Sequence, residues 1–213
     1  MKLLIMTNGE YGDLDWYQDR KDGFDQVICV DGGAGCARKL GITPNWVVGD
    51  MDTIAEDDCK FLEGEGVQFS RYPAQKDPTD TEIALELAVQ LGVDEIMIWG
   101  GTGSRLDHTL ANLFSAAHLV SLGKTVQFDS PVLAIYLVKD SLQLSGQIGK
   151  TVSVLAIGGG ATGVNLEGFQ YPLVNAEVDS FWQYGISNVI TDSPQMISVA
   201  SGVLAVFYYR VLP

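Results

Sequence analysis

Histidine, cysteine and positive charge are all scarce in this chain, and each shortage removes a class of function. The two histidines, His108 and His118, and the three cysteines, Cys29, Cys36 and Cys59, show no metal-ligand spacing, so a zinc site is not expected. An odd number of scattered cysteines reads most simply as reduced thiols, which fits a cytoplasmic protein. Lys and Arg number 13 against 27 Asp and Glu, a formal net charge of −14. A phosphate backbone needs a basic footprint, so nucleic acid is not an expected partner. No apolar run reaches the length that spans a bilayer, so no membrane partner is expected, and Met1–Met6 reads as a first strand and not as a secretory signal.

Complete nucleotide-binding glycine motifs are missing too. Gly101-x-Gly103 lacks the third glycine of a dinucleotide fingerprint, because Leu106 holds its position, and Gly33-x-Gly35 fails in the same way at Arg38. Gly149-Lys150-Thr151 echoes a P-loop, but Leu144 stands where its first glycine belongs and a strand follows, so a hairpin turn is expected. Gly158–Gly160 and Gly163 read as turn glycines. What remains is a composition that folds: 46% hydrophobic and 19% charged residues over 213 positions, enough for one good core or two small ones.

Hydrophobic periodicity divides the chain. Up to about residue 129, strand-like runs (3–6, 26–30, 46–48, 67–72, 95–99 and 125–128) alternate with helix-like ones (34–40, 54–63, 81–91 and 109–122). This predicts a mostly parallel, Rossmann-like α/β domain with helices covering both faces of its sheet. From Ser130-Pro131 onward, short strand-like runs (132–138, 142–144, 151–157, 185–190, 196–199 and 203–209) are separated by glycine-rich turns. They predict an antiparallel β-sandwich or barrel over residues 130–213, with the sandwich the reading adopted. Val203–Tyr209 reads as an apolar sandwich edge that a partner would cover.

In a parallel α/β sheet, ligands bind beyond the carboxyl ends of the strands. Every polar cluster in the first half follows a strand. Gly49-Asp50-Met51-Asp52 ends one; if the chain stays extended, both carboxylates face one side and a hard divalent cation suits the gap between them, whereas a turn explains the same residues. Lys76-Asp77-Pro78-Thr79-Asp80-Thr81-Glu82 opens a helix: Thr79 and Glu82 fit a capping box and Asp80 suits the first turn, with Asp80 still able to reach a metal. Gly100-Gly101-Thr102-Gly103-Ser104-Arg105-Leu106-Asp107-His108 offers glycine N–H groups and an arginine to a phosphate, or a loop with Asp107 as the helix N-cap. In so acidic a chain, nucleotide binding would work through Mg²⁺.

These segments together resemble one family, thiamine pyrophosphokinase. The resemblance is carried by Asp31-Gly32-Gly33, by Pro44 with Gly49-Asp50-Met51-Asp52-Thr53, and by Lys76-Asp77-x-Thr79-Asp80-Thr81-Glu82. It continues through Gly103-x-Arg105-Leu106-Asp107-His108, Asn112 and Gly185-x-Ser187-Asn188. Ser104 departs from it, standing where many members have a second glycine. The resemblance implies transfer of pyrophosphate from ATP to thiamine, with Mg²⁺, in a homodimer whose active site lies at the subunit interface. It implies an ATP- and Mg²⁺-binding catalytic domain over residues 1–129 and a thiamine-binding, dimerising domain over 130–213. By position, Asp50, Asp52 and Asp80 would be the metal carboxylates, joined in catalysis by Lys76 and Asp77. Asp31, Gly32, Thr79, Arg105, Asp107 and Asn112 would serve the nucleotide, and Ser187 and Asn188 the thiamine. The rivals are a Mg²⁺-dependent phosphohydrolase on the same aspartates and a nucleotide sensor without turnover.

Overall fold

A computed structural model of the chain describes residues 1–73, 75 and 77–211. Its elements in order are β1 (Lys2–Met6), α1 (Asp15–Gln18), β2 (Gln26–Val30), α2 (Gly33–Lys39), β3 (Trp46–Gly49), α3 (Glu56–Gly64), β4 (Gln68–Arg71), α4 (Asp80–Gln90), β5 (Glu95–Trp99), α5 (Leu106–Ser121) and β6 (Thr125–Asp129). They continue with β7 (Leu133–Val138), β8 (Ser141–Leu144), β9 (Thr151–Ala156), β10 (Ala161–Glu167), β11 (Leu173–Val178), β12 (Gly185–Val189), β13 (Gln195–Ser198) and β14 (Leu204–Tyr209). The chain separates into two compact units, Met1–Ser115 with Phe128–Pro131, and Ala116–Gln127 with everything from Val132. Among the described residues no helix is long and apolar enough to cross a membrane.

In the first unit, β5, β1, β2, β3 and β4 lie side by side in that order, all parallel. The central strands are apolar almost throughout, because helices cover both faces and leave no solvent side to alternate toward. Leu3, Leu4, Ile5 and Met6 of β1 are all fully buried. Register aligns the strand ends: Met6 pairs with Cys29 and with Trp99, Cys29 with Val47, and Gly49 with Arg71. The loops that leave β1, β2, β3, β4 and β5 therefore start along one edge. α4 begins where its sequence says it should, since Thr79 Oγ1 accepts the Glu82 N–H while a Glu82 carboxylate oxygen accepts the Thr79 N–H.

The second unit is a β-sandwich. One layer is β12-β9-β14-β7, the other β11-β10-β13-β8, and both are antiparallel. Their inward residues share one core, including Ala134, Val154, Val164, Leu166, Ile197 and Val206. Three expectations change here. Val203–Tyr209 is no edge: β14 pairs with β7 on one side and β9 on the other, so its apolar content reflects an interior strand. Gly149 does lie in a turn, but no hairpin forms, because β8 and β9 belong to different layers. Gly163 is not a turn residue but part of β10, where its φ of 66° accompanies a register shift against β11.

Candidate active site

A cavity of about 670 Å³ opens along the carboxyl edge of the parallel sheet. Each of the five strands sends it residues: Thr7, Asn8, Gly9 and Glu10 after β1, Asp31 after β2, Asp50, Asp52 and Thr53 after β3, Asp77–Thr81 after β4, and Gly100–Arg105 after β5. His108, Thr109 and Asn112 of α5 complete it. Of the residues singled out in this half, Asp31, Asp50, Asp52, Asp77, Thr79, Asp80, Arg105 and Asn112 thus come together. Lys76 lies outside the described residues.

Asp31 is the centre of the acidic side. It takes a left-handed backbone conformation (φ 44°) where β2 ends, and its Oδ1 accepts the Met51 N–H at 3.1 Å. Gly32 is tied to the same neighbour loop, its N–H donating to Thr53 Oγ1 at 2.9 Å. The chain after Gly49 does not stay extended: Met51 has a φ of 68°, and the Asp52 N–H donates to Asp50 Oδ1 at 3.0 Å. The turn is real, so strand alternation is not what aims the two carboxylates, yet both reach the cavity. Burial pushes the Asp31 carboxyl up to about 6; the Met51 N–H opposes that, and the charges of Asp80, Asp50 and Asp52 raise it further. Asp31 therefore senses three other carboxylates. Among the described residues they do not form a ready-made cluster of three metal ligands. As hard oxygen donors that leave positions for water and phosphate, they fit Mg²⁺ in kind.

The glycine-rich loop is tied within the chain at successive residues. The Gly103 N–H donates to Thr109 Oγ1 at 3.2 Å and the Ser104 N–H to Glu10 Oε1 at 2.9 Å, so neither is directed at a phosphate. Arg105 forks onto Asp107, Nε to Oδ1 at 3.1 Å and Nη2 to Oδ2 at 2.5 Å. The pair is exposed; its guanidinium holds the Asp107 carboxyl well below the ordinary range, and Asp107 stands inside the first turn of α5, not at its cap. Asn112 is buried and donates through Nδ2 to the Gly101 carbonyl at 2.9 Å, anchoring the loop to the helix.

The residues that sequence reading missed are Thr7–Glu10 and Thr109. The rule that found the other loops, polar residues directly after a parallel strand, applies equally to Asn8 and Glu10 after Met6.

The model for the thiamin pyrophosphokinase catalytic domain matches residues 17–128, and that for the vitamin B1 binding domain of the same family matches residues 140–204. The chain belongs to the thiamin pyrophosphokinase family. A thiamine pyrophosphokinase of Bacillus subtilis (strain 168) is 30% identical over 186 residues, which cover 83% of this chain and 84% of that relative. A solved thiamine pyrophosphokinase from Bacillus subtilis superposes with a TM-score of 0.87 at 24% identity over the full length of both chains. One from Geobacillus thermodenitrificans gives 0.79 at 26% identity, covering 99% of this chain and 98% of that one. The chain is accordingly an enzyme of the thiamine pyrophosphokinase type.

Within the region matching the family's vitamin B1 binding domain, Ser187 and Asn188 lie in β12 and differ sharply. Ser187 occupies a bulge with φ 57° and is exposed, its N–H donating to Ser153 Oγ at 3.0 Å. Asn188 is 3% exposed and spends its amide on the fold: Oδ1 accepts the Tyr171 N–H at 3.0 Å and Nδ2 donates to the Tyr171 carbonyl at 2.7 Å. The segment before them carries Phe181, Trp182 and Tyr184 at 87%, 72% and 68% exposure. Such a run of open aromatics is unusual on a surface that nothing covers, and sequence reading had passed over it.

Proposed function

We propose that this chain transfers a pyrophosphoryl group from ATP to the hydroxyl of thiamine, releasing AMP and thiamine diphosphate. The observation that supports this best is the grouping of Asp31, Asp50, Asp52 and Asp80 beside a glycine loop and Arg105 in one cavity, within a member of this family. The hydroxyl oxygen attacks the β-phosphorus in line with the leaving AMP oxygen, so the protein's task is to position two substrates and offset charge. Asp50, Asp52 and Asp80 would hold Mg²⁺, with Asp31 beside them, and the bound ion would supply charge to offset and orient the polyphosphate. Arg105 turns from Asp107 to the phosphates, supplying a planar cation matched to their oxygens. Lys76 adds a second cation. Asp77 and Asp80, at the start of α4, are the candidates to accept the hydroxyl proton.

The catalytic function is assigned to residues 1–129 and thiamine binding and dimerisation to residues 130–213. In a homodimer, the aromatic run and Ser187 of one chain serve the site of the other. The open rings of Phe181, Trp182 and Tyr184 support this, being suited to a flat heteroaromatic substrate or to cover by a second copy.

Phosphorus NMR of the purified protein with ATP, Mg²⁺ and thiamine tests the reaction directly. AMP and thiamine diphosphate should rise together. ADP with thiamine monophosphate as the products would overturn the bond assignment, and ATP loss that does not need thiamine would establish a hydrolase.

A further inference from the structure

Glu10 has no role in what precedes, yet it grips the loop that carries Arg105 at two points. Its backbone N–H donates to the Thr102 carbonyl at 3.1 Å, and its carboxylate accepts the Ser104 N–H at 2.9 Å across 94 residues of sequence. The approach is close along its whole length. A Cβ at Gly9 would stand 2.0 Å from the Gly100 carbonyl oxygen and 2.6 Å from that of Thr102, while one at Gly103 would meet Glu10 N at 3.3 Å. The Gly9-Glu10 turn therefore lies flat against residues 100–104, and both segments line the cavity.

Three consecutive loop residues are thus held by three different groups: Gly103 by Thr109, Ser104 by Glu10 and Arg105 by Asp107. Of these ties, the one to Glu10 is the one that comes from β1's loop; the others come from α5. Without it, β1's loop would hold this segment only through the Glu10 N–H bond to the Thr102 carbonyl, and residues 103–105 would be tied to α5 alone, so Arg105 would lose its fixed height over the cavity. The tie uses a backbone donor, so it does not depend on which side chain stands at position 104.

We propose that Glu10 is a positioning residue for the nucleotide, holding the glycine-rich loop so that Arg105 is presented to the phosphates. The proposal rests on the assignment of Arg105 to the ATP side. Two effects of the carboxylate compete: it repels a polyphosphate, and it fixes the loop. Glu10 is exposed, where solvent and salt screen the repulsion, while the hydrogen bond has ordinary geometry at 2.9 Å and acts directly on the loop. The fixing effect should win.

The test compares wild type with Glu10→Ala and Glu10→Gln, reading the KM for ATP, the KM for thiamine, kcat, the ATP dissociation constant by calorimetry and thermal unfolding. Glu10→Ala should weaken ATP by about 2- to 10-fold, the range expected for one net hydrogen bond. Thiamine KM and the unfolding midpoint should stay close to wild type, because the side chain is on the surface. Glu10→Gln keeps an acceptor oxygen and should recover most of the loss. An unchanged ATP affinity in Glu10→Ala, tighter ATP binding, or a Gln variant as weak as Ala would each overturn the proposal. If wild type binds ATP but makes no thiamine diphosphate, the proposed reaction fails while the dissociation constants still decide the role of Glu10; if it binds no ATP, both fail.

Discussion

The carboxylate of Asp31 stands where a side chain at residue 49 would have to go: a Cβ on Gly49 would lie 1.8 Å from Asp31 Oδ1. Gly49 also has a φ of 142°, which L side chains seldom adopt. The last residue of β3 is glycine because the acid leaving β2 leans across it to reach the Met51 N–H. Strand end, turn and acidic centre form one unit.

Gly49→Ala must therefore displace Asp31. The expected result is a loss of about 1–3 kcal/mol in stability from strain at the turn, together with a fall in turnover of at least about tenfold as the carboxylates move apart. Urea unfolding and steady-state kinetics check both. A variant with normal activity would show that the position of Asp31 does not matter to the reaction.

The raised Asp31 pKa has a consequence for the metal-free protein. The folded state holds this proton up to about pH 6, whereas the unfolded carboxyl releases it near its ordinary 3.8. Between those values the folded state binds more protons, so the contribution is fully present below 3.8 and is lost as pH rises through 6. Because Asp31 is only half buried, solvent screening leaves roughly 1 kcal/mol of it. Urea unfolding of metal-free wild type and Asp31→Asn at intervals from pH 4 to 7 should show the two stabilities diverging across that window, wild type losing ground as pH rises. Parallel profiles would mean that Asp31 ionises normally.

The sequence conveyed the order of the parallel half well, because strands buried on both faces read as continuous apolar runs and each is followed by its polar cluster. β10 and β11 escaped it for a local reason: Gly163 and Asn175, with φ of 66° and 47°, break the alternation by which a strand is recognised, and their pairing shifts register twice. Val203–Tyr209 was legible as a strand but not as an interior one, since apolar content does not say how many neighbours a strand has. In the site, the acids at 50, 52 and 80 could be read from chemistry, and Asp31 from the family resemblance. That the N–H groups of Gly103 and Ser104 are already bonded could not, because their acceptors, Thr109 and Glu10, are brought there by the fold.

Ser187 and Asn188 are neighbours in sequence but should behave oppositely. Asn188→Ala would leave the Tyr171 N–H and carbonyl without their buried partner, which should cost roughly 2 kcal/mol. Ser187→Ala removes only an exposed hydroxyl, and its stability should stay within about 0.5 kcal/mol of wild type. Its thiamine KM should rise if Ser187 meets the substrate. Differential scanning calorimetry with thiamine-dependent kinetics separates the two effects; equal losses of stability would contradict the burial difference.

The shared-site reading makes a prediction that no single-chain site can satisfy. Asp52→Asn should lower turnover on the order of 100-fold, by removing one charged oxygen from the acidic group where the metal would bind, and it keeps the backbone N–H that Asp50 accepts. Trp182→Ala should cripple thiamine binding from the other unit, and with Trp182 72% exposed it should do so without unfolding the chain. Each homodimer would then carry two defective sites. Mixed and allowed to exchange subunits, the two variants would form heterodimers in which one site has both defects and the other has neither. A two-fold assembly fixes that arithmetic. Half of the mixed dimers at statistical exchange would be heterodimers with one intact site, so activity should recover to about a quarter of wild type. Native mass spectrometry verifies the exchange independently of activity. Full exchange without recovered activity would place the acidic cavity and the aromatic run of the same chain in one site.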